Sequence, residues 1–149
     1  MTDRLIQLAA ILIVISASSG CAHIDSTHAT FTRTETELVL QIDRHMDELL
    51  RGPDIEEDQT LVLELHDYPI GKWLAIPSPQ AHARLEVRRF GPTSQGEVFA
   101  GWVKVRRVTD AKIVADLKLV VTARTANGSY VQTTKFKGQY GFFRAAPPD

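Results

Sequence analysis

Cysteine is nearly absent: Cys21 is the only one among 149 residues, so no internal disulfide can staple the fold. A lone cysteine as nucleophile would need a base held beside it in a folded site, and its neighbour His23 lies in a stretch with no folding signal. Net charge is lacking as well. The 17 Lys and Arg residues face 18 Asp and Glu, so no global field points to nucleic acid or to an anionic surface. No apolar run reaches the roughly 20 residues that a membrane-spanning helix needs; the run from Leu5 to Ile15 is interrupted by Gln7 and ended by Ser16, Ser18, Ser19 and Gly20. There is no phosphate loop, nucleophile elbow, metal-ligand spacing or internal repeat. An enzyme, in practice a hydrolase, is therefore the weakest functional reading, and no cofactor or metal is expected.

What is present begins at the N-terminus, where Met1 to Arg4, the apolar Leu5 to Ile15 and the small residues Ser16 to Gly20 follow the order of a secretory signal. The stretch Ser18-Ser19-Gly20-Cys21 resembles the lipobox of bacterial lipoproteins. That resemblance covers residues 1–20 as signal peptide and implies cleavage before Cys21, a diacylglyceryl thioether on its sulfur and an acylated new amino terminus. Each buried CH₂ of such chains contributes about 0.8 kcal/mol, and two or three chains together make a durable anchor. Ala22, where inner-membrane retention would favour Asp, implies the outer membrane facing the periplasm. Residues 21–33, polar and rich in Thr and Ser, read as a lipidated tether. His23 and His28 within it lack the fixed geometry of a metal site.

One domain, residues 34–149, follows. Thr34-Glu35-Thr36-Glu37 fits a capping box, and Leu38, Ile42, Met46 and Leu49 recur at helical spacing up to the stop signal Gly52-Pro53, so a helix is expected here. The competing reading is a strand from Leu38 to Ile42, because Leu38, Leu40 and Ile42 also alternate. His45 reads as a helix-edge side chain rather than a ligand. Asp54, Glu56, Glu57 and Asp58 read as a solvated acidic loop, since they lack the spacing and glycine of a calcium loop.

From Thr60 the pattern is β: Leu61, Leu63 and Leu65 alternate with polar residues, Lys72 to Ile76 suits a short strand carrying Trp73, and Ala83, Leu85 and Val87 mark another. His66-Asp67 invites a catalytic reading, yet neighbours on a strand point apart. Three long strands close the chain, from Val98 to Val108, Lys112 to Thr125 and Tyr130 to Phe143. Asn127-Gly128 signals a type I′ hairpin, with Leu119 opposite Phe136, Lys118 opposite Lys137 and Leu117 opposite Gly138. A tight turn there also makes Asn127-Gly128-Ser129 a poor glycosylation site. For the preceding hairpin, parity favours a three-residue loop, Thr109-Asp110-Ala111, which pairs Phe99 with Val121, Gly101 with Leu119 and Lys104 with Asp116. A two-residue loop would move Lys104 and Arg106 into the core row.

The expected fold is thus mainly β, an antiparallel sandwich or open barrel of about six strands with one N-terminal helix. The candidate binding surface is the outer face of the last three strands, with Trp102, Lys104, Lys118, Lys135 and Lys137 and, beside them, Arg106 and Arg124. In an exported lipoprotein its partner would be an envelope protein or an anionic glycan rather than nucleic acid. The expected role is a non-enzymatic, lipid-anchored accessory. The alternative is a carrier with an apolar pocket lined by Phe99, Leu117, Leu119 and Phe136.

Overall fold

The computed structural model describes residues 23–47, 56–89, 94–128 and 131–146. Residues 1–20, where a signal peptide is expected, and Cys21, Leu49, Gly52-Pro53 and Asp54 lie outside them. Eight strands form the described chain: β1 (His23–Arg33), β2 (Glu37–Asp47), β3 (Glu56–His66), β4 (Leu74–Ile76), β5 (Ala81–Arg89), β6 (Ser94–Val108), β7 (Lys112–Arg124) and β8 (Val131–Arg144). They make one sheet in the order β4-β6-β5-β3-β2-β1-β8-β7, and β6 also pairs with β7. The sheet therefore curls back on itself into a nearly closed barrel, with β4 sharing the edge of β6 that β5 occupies further down.

The two strands beyond the expected six are β1 and β2, which replace the tether and the helix. Thr34 explains the confusion at β2. Its Oγ1 accepts a hydrogen bond from the Glu37 N–H at 3.1 Å, as a helix N-cap would, but its own N–H donates to the Glu37 carbonyl at 2.9 Å and closes a hairpin. The same side-chain bond serves both structures, so the motif by itself cannot choose. Packing chooses: with β1 on one side and β3 on the other, Leu38, Leu40 and Ile42 share one face and are buried. The segment read as a tether supplies Phe31 to the same core and Ala29 against it. The acidic loop is corrected likewise, because Glu56, Glu57 and Asp58 lie in β3 and Glu57 is buried.

Both C-terminal hairpins keep their core register by devices other than those expected. The β7–β8 pairing places Leu119 opposite Phe136, Lys118 opposite Lys137 and Leu117 opposite Gly138, as foreseen. Its turn is not type I′, however. Gly128 has φ +69° while Asp67 is the only non-glycine with positive φ among the described residues, and the Gly128 N–H bonds the Thr125 carbonyl at 2.8 Å. The tight turn is thus centred on Ala126-Asn127, one residue early.

In the β6–β7 hairpin Thr109 repeats the Thr34 device, accepting from the Lys112 N–H at 2.9 Å and donating to its carbonyl at 3.0 Å. This makes the rejected two-residue loop, Asp110-Ala111. A bulge between Val105 and Arg107 then supplies the odd residue, Arg106, so that Val105 meets Ala115 and Lys104 meets Asp116. A second irregularity pairs Val98, rather than Phe99, with Val121.

The core is a continuous cluster that includes Phe31, Leu40, Leu63, Leu85, Val103, Leu117, Leu119, Phe136 and Phe142. Gly101 lets β6 approach β7, since a Cβ there would collide with the Leu119 side chain and come within 2.9 Å of the Lys118 carbonyl oxygen.

Candidate functional site

The outer face of β6, β7 and β8 carries the candidate surface. Alternation sends Val103, Leu117 and Phe136 inward, so Trp102, Lys118 and Lys137 point outward in one cross-strand row. The next row is Lys104, Asp116 and Gln139, and Lys135 lies opposite Val120. The structure thus places Trp102, Lys104, Lys118, Lys135 and Lys137 on one side of the wall, with Trp102 half exposed at 50 %.

Trp73 belongs to the same surface. Leu74 pairs with Val103, which sets Trp73, one residue earlier, beside Lys104. The connection that carries it is tied down by a 2.7 Å hydrogen bond from the Gly71 N–H to the Val105 carbonyl, with Gly71 at φ +80°. The Lys104 and Lys118 ammonium groups lie 4.6 and 4.8 Å from the Trp73 ring centroid. Each such contact is worth about 0.5–1 kcal/mol at an exposed site. Short-range pattern alone did not mark Trp73 as part of the site, because the β4–β6 pairing that brings it there spans a long stretch of chain.

Asp116 is the single acidic group in these rows and is already engaged. It accepts from Arg106 Nε at 2.6 Å and from Gln139 Nε2 at 3.3 Å, with Lys104 Nζ at 3.5 Å. Burial, the largest single influence, pushes its pKa up. The hydrogen bonds from Arg106 and Gln139, the Arg106 charge and Lys104 together outweigh burial and hold the carboxyl below its ordinary value. Lys118 and Lys137, directly opposed, are left as a like-charged pair, an unfavourable neighbourhood that an anion would relieve.

The opposite wall brings together polar groups that lie far apart in the sequence. On the outer side of β2, β3 and β5, a cleft of about 250 Å³ is lined by residues including His28, Asp43, His45, Asp58, Thr60 and Arg88. His45 is not a helix-edge residue: its Nδ1 lies 2.7 Å from Asp58 Oδ1, a carboxylate-oriented imidazole. The Thr60 hydroxyl donates to Asp43 Oδ1 at 2.8 Å, so it is not paired with that imidazole as a nucleophile would be. The available signal was Asp43/His45 and Asp58/Thr60, each two apart, once both segments are taken as strands. Among the described residues no group of three or more His, Cys, Asp and Glu is placed to hold a metal ion.

His66 ends β3 and Asp67 follows it in the turn. Asp67 has φ 45°, and its main chain bonds Thr36 and the Gln80 side chain. Leu117, Leu119 and Phe136, named for an apolar pocket, are buried in the core cluster; the side chain of Phe99 lies outside the described residues. A second cleft, about 640 Å³, is lined instead by residues including Gln41, Thr60, Arg84 and Glu86. No family model, curated protein or solved structure matches this chain.

Proposed function

We propose that this chain is a non-enzymatic, lipid-anchored protein of the bacterial cell envelope that uses the outer face of β6–β8, completed by Trp73, to bind an anionic glycan. The observation that carries the reading is the pairing of two exposed indoles with ammonium groups: Lys104 and Lys118 flank Trp73, while Trp102 lies in one row with Lys118 and Lys137. Indole faces suit the C–H faces of sugar rings, and lysines suit their carboxylate or phosphate substituents, as point charges on flexible stems. The packed cluster around Leu117, Leu119 and Phe136 favours surface binding over carriage of an apolar ligand.

The lipobox resemblance at Ser18-Ser19-Gly20-Cys21 supports anchoring, in the outer membrane and facing the periplasm. β1 starts at His23, two residues after Cys21, so acyl chains there would hold the barrel against the bilayer rather than on a flexible stalk.

Two experiments test the reading. Polygalacturonate, an acidic glycan, should be retained by the immobilised protein and dextran should not; Trp102→Ala/Lys118→Glu should abolish retention, and undiminished retention would refute the proposed surface. For the anchor, Cys21→Ala should end acyl labelling and release the protein from membranes, and persistence of both would defeat the lipoprotein reading.

A further inference from the structure

The barrel is incompletely zipped on one side. Among the described residues β1 and β8 pair only through Thr30 with Phe143 and Phe31 with Arg144. Residues 23–29 and 136–142, which would continue that parallel ladder, have no strand partner across it. Direction of the main chain follows from two hydrogen bonds. The Ala145 N–H donates to the Phe31 carbonyl at 3.0 Å, and the Lys135 carbonyl accepts from Arg44 Nη1 at 3.3 Å. Odd-numbered residues of β8 therefore turn their N–H and C=O groups to the seam, while the even-numbered ones face β7. Lys137 and Gln139 thus present a strand edge.

Arg44 stands where a strand would. It projects from β2 beneath β1, its guanidinium lies 3.9 Å over the Phe136 ring, and Nη2 donates to the Tyr140 hydroxyl at 2.5 Å. Its Nε is buried without a hydrogen-bond partner, and so is the Oε1 of Gln59, the residue opposite it on β3. A buried guanidinium N–H with no acceptor is costly, and a carboxylate is its best acceptor. On the outer side the β8 rim is basic, with Lys135 and Lys137.

We infer that the β1–β8 seam is a docking groove for an extended acidic segment of a partner polypeptide, which enters as an added β-strand and sets a carboxylate against Arg44. Main-chain hydrogen bonds to the odd-numbered edge of β8 supply the affinity, and Arg44 and the lysine rim select for acidic side chains. Lys135 and Lys137 are shared with the proposed glycan-binding face, whereas Arg44 and the main-chain edge of β8 are not part of it.

The test uses the full-length protein and a short synthetic peptide of Val and Glu with Glu at both odd and even positions, so that carboxylates reach both faces of the added strand, with its Val-Lys counterpart as control, read by calorimetry and by amide hydrogen exchange. The Val-Glu peptide should bind and slow exchange at Lys137 and Gln139. Lys137→Pro deletes one seam-facing N–H without touching the β7 ladder and should weaken binding about tenfold, the equivalent of one main-chain hydrogen bond. Lys137→Gln removes only the charge and should weaken it less; Arg44→Met should reduce the preference over the Val-Lys peptide. Circular dichroism confirms that each variant is folded. No binding, equal binding of both peptides, full affinity in Lys137→Pro, or protection at Trp102 and Lys118 instead of the seam would each overturn the inference.

Discussion

Arg44 and Tyr140 should be energetically coupled, and the size of that coupling follows from their geometry. Arg44→Met removes hydrogen bonds to the Tyr140 hydroxyl and the Lys135 carbonyl and the contact with the Phe136 ring, while keeping most of the side chain's volume. Hydrogen bonds to a charged group are worth about 1.5–3 kcal/mol each and the ring contact about 1 kcal/mol. Against this stands relief of the buried, unpartnered Nε, about 1–3 kcal/mol. The net loss expected is about 1–6 kcal/mol, centred near 3 kcal/mol. Tyr140→Phe alone should cost about 1.5 kcal/mol or more, since it strands one guanidinium donor. In a double-mutant cycle followed by urea unfolding, with the fluorescence of Trp73 and Trp102 as probe, the coupling should reach about 1.5 kcal/mol. Additivity within about 0.5 kcal/mol would refute the view that Arg44 braces the open side of the barrel through β8.

Gly101→Ala should destabilise the protein by about 1–3 kcal/mol in thermal melts, as overpacking does, because the new Cβ collides with the Leu119 side chain and meets the Lys118 carbonyl. Gly96→Ala should be worse, since its Cβ would collide with the Thr122 main-chain oxygen, which cannot rotate aside. Asp116→Asn tests the sign of the carboxyl's depressed pKa. A carboxyl that binds its proton more weakly when folded stabilises the fold above its unfolded pKa of about 3.9. The wild-type advantage should therefore be complete at neutral pH and vanish as pH falls through the folded value; an advantage that grows on acidification would contradict the assignment. Thr34→Ala and Thr109→Ala should each cost about 0.5–1.5 kcal/mol in chemical denaturation, through loss of the i+3 amide acceptor.

Sequence pattern carried the C-terminal half further than the N-terminal half, for a physical reason. In β7 an apolar residue recurs at every second position from Ile113 to Ala123, so one register alone buries Leu117, Leu119 and Phe136 together, and even an incorrectly typed turn left it intact. Parity did the same for β6 from Gly101 to Val105, where the expected pairing holds although its odd residue sits in the Arg106 bulge rather than in the loop, and it failed at Phe99, whose expected partner Val121 pairs with Val98. In β2, Leu38, Ile42 and Met46 satisfy one period while Leu38, Leu40 and Ile42 satisfy the other. A threonine hydroxyl that caps a helix also closes a hairpin. The choice between them is made by β1 and β3 on either side, and a polar β1 gives little local sign of being a strand. The five named surface residues were legible because they come from that regular C-terminal meander. Trp73 and the His45–Asp58 pair were not, since each depends on pairing between segments whose own assignment was open.

The distance between Cys21 and β1 bears on what the tryptophan and lysine face can reach. Three connections cluster at the end of the barrel remote from the start of β1: Asp67 bonds Thr36, Arg144 bonds Ala111, and Ala145 bonds Phe31. The Trp73 connection belongs to that end through Gly71 and Val105. The anchor proposed at Cys21, two residues before His23, would engage the opposite end and direct Trp73 away from the bilayer. A glycan-binding face needs that orientation, whereas a face made to lie on anionic lipid needs the reverse, with the indoles in the headgroup layer. Lipidated protein in vesicles of brominated phospholipid separates the two. Fluorescence of Trp73 and Trp102 should be unquenched relative to non-brominated vesicles; strong quenching, lost in Trp102→Phe, would place the face on the membrane and remove the glycan as its partner.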